Sequence, residues 1–99
     1  MSRKYYSEYA AHCIRLYLRV RDDDDLRRDS DRADWDAARK AMMDLPDRTY
    51  LILCDVYTSK GNAKNIVPEV GQKYCAQTNE IWKMMDQVEF RVAQYRGLR

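Results

Sequence analysis

Cys13, Cys54 and Cys75, the single histidine His12 and the aspartate run at 22–25 are the side chains whose types could support metal binding or nucleophilic chemistry. Thiolates and imidazole hold zinc when they come in closely spaced pairs, because four ligands must converge on one tetrahedral centre. These cysteines are odd in number, widely separated and set among apolar or small neighbours at helical spacing. The expectation is therefore three buried, reduced thiols that bind no metal. A calcium loop needs oxygens at alternating positions, a glycine at the bend and a distal glutamate; DDDDLRRDSDRAD has neither the glycine nor the glutamate. Nor is there a Gly-rich phosphate loop or a nucleophile signature. The chain reads as a non-enzyme with no cofactor.

A second stretch, VGQKYCAQTNEIWKMM at 70–85, carries a different pattern. Two helices joined by a sharp turn need a small residue where they cross, apolar residues around the turn and an apolar anchor in the second helix. Gly71, then Tyr74 and Ala76, then Ile81 and Met84 meet that spacing. A glycine inside a helix costs about 1 kcal/mol relative to alanine, so Gly71 signals the close approach of another helix. Cys75 stands where many such units carry glycine, and its β-carbon makes a left-handed turn residue less comfortable.

These residues must be positioned by the rest of a 99-residue chain, the size of one domain. No run of apolar residues is long enough to span a membrane, and the N-terminal MSRKYYSEYAAHC lacks the pattern of a secretory leader, which leads to the expectation of a cytoplasmic protein with no membrane partner. Charge is uneven: residues 1–21 carry a net +4, residues 22–47 a net −5 and residues 48–99 a net +3, in total the +2 of the whole chain. Basic ends around an acidic middle suit phosphate binding at the ends, although solvated helix faces give the same pattern.

Glycine and proline are scarce and alternating β-branched runs are absent, so the periodicity predicts an all-α fold of about five helices. The first covers about 5–21, with Tyr6, Ala10, Cys13, Tyr17 and Val20 on one stripe and Tyr9 and Leu16 beside it. An acidic connection at 22–31 follows, and 32–99 form the remaining core. Ser30 or Asp31 is placed to cap a second helix with Trp35, Ala38, Met42 and Leu45 as its stripe. Pro46 opens a third helix reaching about Thr58, apolar over more than half its girth through Tyr50, Leu51, Leu53, Cys54, Val56 and Tyr57. SKGNAKN at 59–65 is a connection, Asn65 caps a fourth helix with Pro68 in its first turn, and a fifth runs over about 78–96. Ile81, Met84 or Met85, Val88, Val92 and Tyr95 line its buried face, and Gly97 ends it. One core is expected to contain Trp35, Leu51, Cys54, Tyr74, Ile81 and Val88.

From Trp35 to Leu98 the chain resembles the sigma-factor region-4-like helix-turn-helix domains, especially the small versions found in bacterial mobile elements and phages. The matching positions are Leu45, Arg48, Leu51, Leu53 and Tyr57, then Val70, Gly71, Tyr74, Ile81 and Trp82, then Arg96, Gly97 and Leu98. The resemblance leaves the N-terminal tyrosine helix and the aspartate run unaccounted for. It implies a transcriptional regulator whose fifth helix enters the major groove of duplex DNA by its first turn, presenting Gln77, Thr78, Asn79 and Lys83. Asparagine and glutamine can bond adenine bidentately, threonine can touch a thymine methyl group or a phosphate, and lysine a phosphate or guanine. Lys60, Lys64, Lys73 and Arg91 would supply backbone contacts, while Glu80 and Asp86 oppose them. RNA polymerase or another protein, and a second copy bound through the N-terminal helix, are further partners to consider. The alternative is a non-catalytic helical interaction module, a degenerate helix-turn-helix that assembles through Trp82 and the N-terminal tyrosines. Trp82 itself either completes the core against Tyr74 and Trp35 or stands out as a partner anchor.

Overall fold

A computed structural model describes residues 5–22 and 25–98, and all regular structure among them is helical. The five helices are α1 (Ser7–Arg19), α2 (Asp29–Met43), α3 (Asp47–Thr58), α4 (Ala63–Tyr74) and α5 (Thr78–Tyr95). The all-α expectation holds, with five helices. Of the aspartate run, Asp23 and Asp24 lie outside the described residues.

α1 packs most extensively on α2, and it also touches α5 and α3. Its buried face is broader than the predicted stripe: Ala11 and Ile14 join Ala10, Cys13 and Leu16 inside, while Tyr9 is exposed. Small side chains meet it from α2, where Ala37, Ala38 and Ala41 are buried. Alanines on both surfaces let two helix axes approach closely, because nothing longer than a methyl group separates the backbones. The face of α1 that carries Ala10, Cys13 and Ile14 is thus internal.

α2 begins at Asp29, so Ser30 and Asp31 lie inside it; its N-cap, Arg28, makes no side-chain cap bond. The acidic first turn at Asp29 and Asp31 suits the positive end of the helix without any cap bond. Trp35 does not join the main core. It packs with Leu16 and Leu26 in a separate small cluster, and its indole Nε1 donates to the Val20 carbonyl at 2.8 Å. Leu26 is held in turn by Arg32, whose Nε donates to the Leu26 carbonyl at 2.8 Å. The connection between α1 and α2 is therefore pinned by an apolar side chain at its far end, and it ends at 28 rather than 31.

In α3 the buried side chains are Ile52, Leu53, Val56 and Tyr57, whereas Leu51 is 53% exposed. That corrects the predicted core. A helix apolar over more than half its circumference has no unique phase by itself, and here α1, α4 and α5 select the stripe at 52, 53, 56 and 57. Cys54 and Tyr74 sit at the core's edge. α3 opens after Pro46, whose carbonyl accepts from Tyr50 N at 2.9 Å, one residue later than expected. In α4 the cap is Asn62 rather than Asn65: the Asn62 side chain accepts from Lys64 N at 3.0 Å. Pro68 consequently falls inside the helix, beyond its first turn, on the exposed side where water can serve the carbonyl that its missing N–H leaves free.

α5 buries Ile81, Met85, Val88, Glu89, Val92 and Ala93. Tyr95, expected inside, is 48% exposed, because the stripe drifts to Ala93 in the last turn. The main core draws on all five helices. Inside it one polar pair is buried: Tyr57 OH donates to Glu89 Oε2 at 2.5 Å. Among the described residues, no helix is long and apolar enough to cross a membrane.

Candidate nucleic-acid interface

The turn at 75–77 sets the relation of α4 to α5. Cys75 adopts a left-handed conformation, φ 54 and ψ 41. Ala76 N donates back to the Gly71 carbonyl at 2.8 Å and Cys75 N to the Gln72 carbonyl at 3.5 Å, the paired closure that ends many helices with a left-handed residue. α5 ends in the same way: Gly97 has φ 76, Leu98 N donates to the Ala93 carbonyl at 2.8 Å and Gly97 N to the Gln94 carbonyl at 3.1 Å. Gly71 is required by its surroundings. A β-carbon there would stand 2.7 Å from the Ala76 carbonyl oxygen and 3.6 Å from Ile81 Cδ1. The close approach inferred from the sequence is real, but it comes first from the turn backbone and only then from the next helix.

Past the turn, Gln77, Thr78, Asn79, Glu80 and Lys83 are all exposed. Glu80 turns back to accept from Gln77 N at 3.3 Å, so its charge serves the helix N-terminus. Asp86 lies two turns beyond Asn79 and lines a different, smaller groove with Tyr6, Leu45 and Phe90.

The cationic residues separate into occupied and unoccupied. Lys73 Nζ donates to Asp55 Oδ2 at 2.8 Å, and Tyr74 OH donates to the same oxygen at 2.8 Å. Asp55 is held below the usual carboxylate range, first by the Lys73 bond and then by Tyr74; Lys73 is raised by the same contact. Lys73 therefore braces α4 against α3, and any phosphate contact it makes must compete with Asp55. Arg91 lies 3.8 Å from Asp44. Arg48, from α3, donates to the Tyr74 carbonyl at 3.0 Å and so serves the last turn of α4. Lys60, Lys64 and Lys83 have no carboxylate partner among the described residues.

Thr78, Asn79 and Lys64 share an open groove of about 1120 Å³ with Trp82 and with Arg15 of α1. Trp82 is half-buried at the edge of the main core with Tyr74; Trp35 belongs to the other cluster, so the alternative in which Trp82 packs against Trp35 is not formed. Arg15 was not legible as a member of this face, since α1 meets it only in the folded chain.

A second polar assembly, also missed, ties three helices together. Asp34 is buried in α2, where its Oδ1 accepts from Tyr9 OH at 2.5 Å and from Arg96 Nε at 2.7 Å. His12 Nε2 stands 3.9 Å from the other oxygen. The bond to Asp34 raises the Tyr9 phenol, and bonds to Tyr9 and Asp34 raise Arg96. The bonds among Tyr9, Asp34 and Arg96 hold α1, α2 and the end of α5 together.

The thiols do not act as a group. Cys13 is buried, and burial, with Asp34 nearby, pushes it up to about 12; Cys54 is half-buried and raised by burial. Cys75 is exposed, which corrects the expectation of three buried thiols: as the turn residue, its side chain leaves the helix surface. Among the described residues, no three His, Cys, Asp or Glu side chains come together as a metal site. Comparison with protein-family models, curated proteins and solved structures found no match to this chain.

Proposed function

We propose that the chain is a non-catalytic, duplex-DNA-binding regulator of transcription that sets the first turn of α5 in the major groove. One observation carries this reading: the closed turn at 75–77 locks α5 against α4 while leaving Gln77, Thr78 and Asn79 exposed at its start. A rigid pair of helices can bring the exposed Asn79 side chain to base edges without first ordering the backbone that carries it, while Gln77, whose side chain caps the helix together with Glu80, would have to exchange that contact for a base. Lys83 on the same helix and Lys64 at the start of α4 are exposed cations with no carboxylate partner among the described residues, suited to phosphate.

The test is binding of the full chain to random-sequence and genomic duplexes at two salt concentrations. Saturable binding that weakens steeply with salt supports the reading. Asn79→Ala should then cost about 1–3 kcal/mol at a preferred site and relax the sequence preference there, whereas Lys64→Ala should weaken all duplexes alike. No saturable binding at low salt overturns the reading and leaves α4 and α5 as a packed pair used for protein assembly.

A further inference from the structure

We propose that α1 is part of the DNA-binding surface, with Arg15 of α1 and Lys64 of α4 both gripping the sugar-phosphate backbone at the groove they line with Thr78 and Asn79. The inference rests on the reading of α5 as the groove-entering helix and extends it to α1, whose segment the charge distribution marks as basic without singling out Arg15.

Arg15 reaches the groove from α1, Lys64 from the first turn of α4, and Thr78 and Asn79 from the first turn of α5. Both cations are exposed, and neither has a carboxylate partner among the described residues. Lys73, by contrast, is already paired with Asp55. The guanidinium of Arg15 lies 6.0 Å from the centre of the Tyr57 ring, and that ring is tethered through its hydroxyl to the buried Glu89. Stacking on a fixed ring limits where the guanidinium can go while leaving its N–H donors open to an acceptor. A helix seated in the major groove has a phosphate chain along each side, so donors flanking its leading turn meet phosphate oxygens without reading sequence. The groove also contains Glu8, two turns before Arg15 on α1, the one carboxylate among its lining residues. Its charge opposes a phosphate there, which gives the proposal a variant of opposite sign.

The experiment measures duplex affinity of the full chain by fluorescence anisotropy across a range of potassium chloride concentrations, using one random-sequence duplex and one preferred duplex. Arg15→Gln should weaken both alike and lower the slope of log affinity against log salt by about 0.9, one phosphate contact's worth. Arg15→Lys should restore most of that slope, and Glu8→Gln should strengthen binding to both duplexes. If Arg15→Gln leaves affinity and slope unchanged while Asn79→Ala still relaxes sequence preference, the grip by α1 is wrong and the reading of α5 stands. If the unaltered chain binds no duplex at low salt, both fall together. Circular dichroism of each variant separates a lost contact from a lost fold.

Discussion

Gly71 and Cys75 hold the same turn closed by opposite means. At Gly71 the absence of a β-carbon makes room for the Ala76 carbonyl, which would stand 2.7 Å from one. Gly71→Ala gains about 1 kcal/mol of helix propensity, but crowding a backbone atom costs about 1–3 kcal/mol, so a net loss is expected. At Cys75 a β-carbon is tolerated in a left-handed conformation, φ 54, that glycine takes freely. Cys75→Gly should therefore stabilise by about 0.5–1 kcal/mol, the relief of strain exceeding the greater freedom of glycine in the unfolded chain. Urea midpoints that move the other way for either variant would contradict this account of the turn. Asp55 supplies a pH signature. Because Lys73 and Tyr74 hold its carboxyl low, its folded pKa lies beneath the unfolded value of about 3.9. Its stabilisation is present above that value and is lost as pH falls through the folded pKa. Its side chain is 30% exposed, so screening keeps the effect modest. Asp55→Asn should lose less stability than the unaltered chain between about pH 5 and pH 2; identical acid dependence would show that the bridge contributes nothing.

Among the elements, α3 offers the sharpest contrast between neighbours. Ile52 is fully buried and Leu51 is 53% exposed. Ile52→Ala should destabilise by about 2–5 kcal/mol, and Leu51→Ala should stay within about 0.5 kcal/mol; similar losses in chemical denaturation would mean that the helix sits in another phase. The contrast also shows what the sequence could convey. Helix existence was legible from local spacing and the scarcity of glycine and proline, and so was the turn after α4, because Gly71, Ala76 and Ile81 lie within one short stretch. Phase and partnership were not. Leu51, Trp35 and Tyr95 were misplaced because burial on a broadly apolar helix is decided by distant neighbours. The cap is Asn62 where Asn65 is expected because an asparagine stands at both positions ahead of the same apolar run. Lys73 was read as a free cation because Asp55, which engages it, lies 18 residues away. The exposed positions Gln77, Thr78 and Asn79 followed from the turn, whereas Arg15 could be added only after α1 had been folded onto the others.

At the scale of the molecule, one core draws on every helix, and α1 provides some of its most deeply buried side chains in Ala10, Cys13 and Ile14. A fragment restricted to residues 32–99 leaves Ala37, Ala38, Ala41 and Met42 of α2 without their cover. It should lose cooperative thermal unfolding and bind a hydrophobic dye, and a fragment that melts as sharply as the full chain would show α1 to be an accessory. The clasp of Asp34 with Tyr9 and Arg96 works in the same direction, since it joins α1 and α2 to the end of α5.

Tyr5 OH donates to the Leu98 carbonyl at 2.8 Å across 93 residues of chain. Polypeptide joined before the one residue and polypeptide joined after the other would leave the molecule side by side. Closing so long a loop is entropically slow rather than ruinous, since each doubling of loop length adds only about 0.6 kcal/mol. The consequence is kinetic: pairing of α1 with α5 raises the contact order above that of a helical hairpin array, which slows folding. A circular permutant that links the two ends and reopens the chain at the Gly61 connection would make α5 and α1 neighbours in sequence, turning this distant pairing into a local one, and should fold faster than the parent chain.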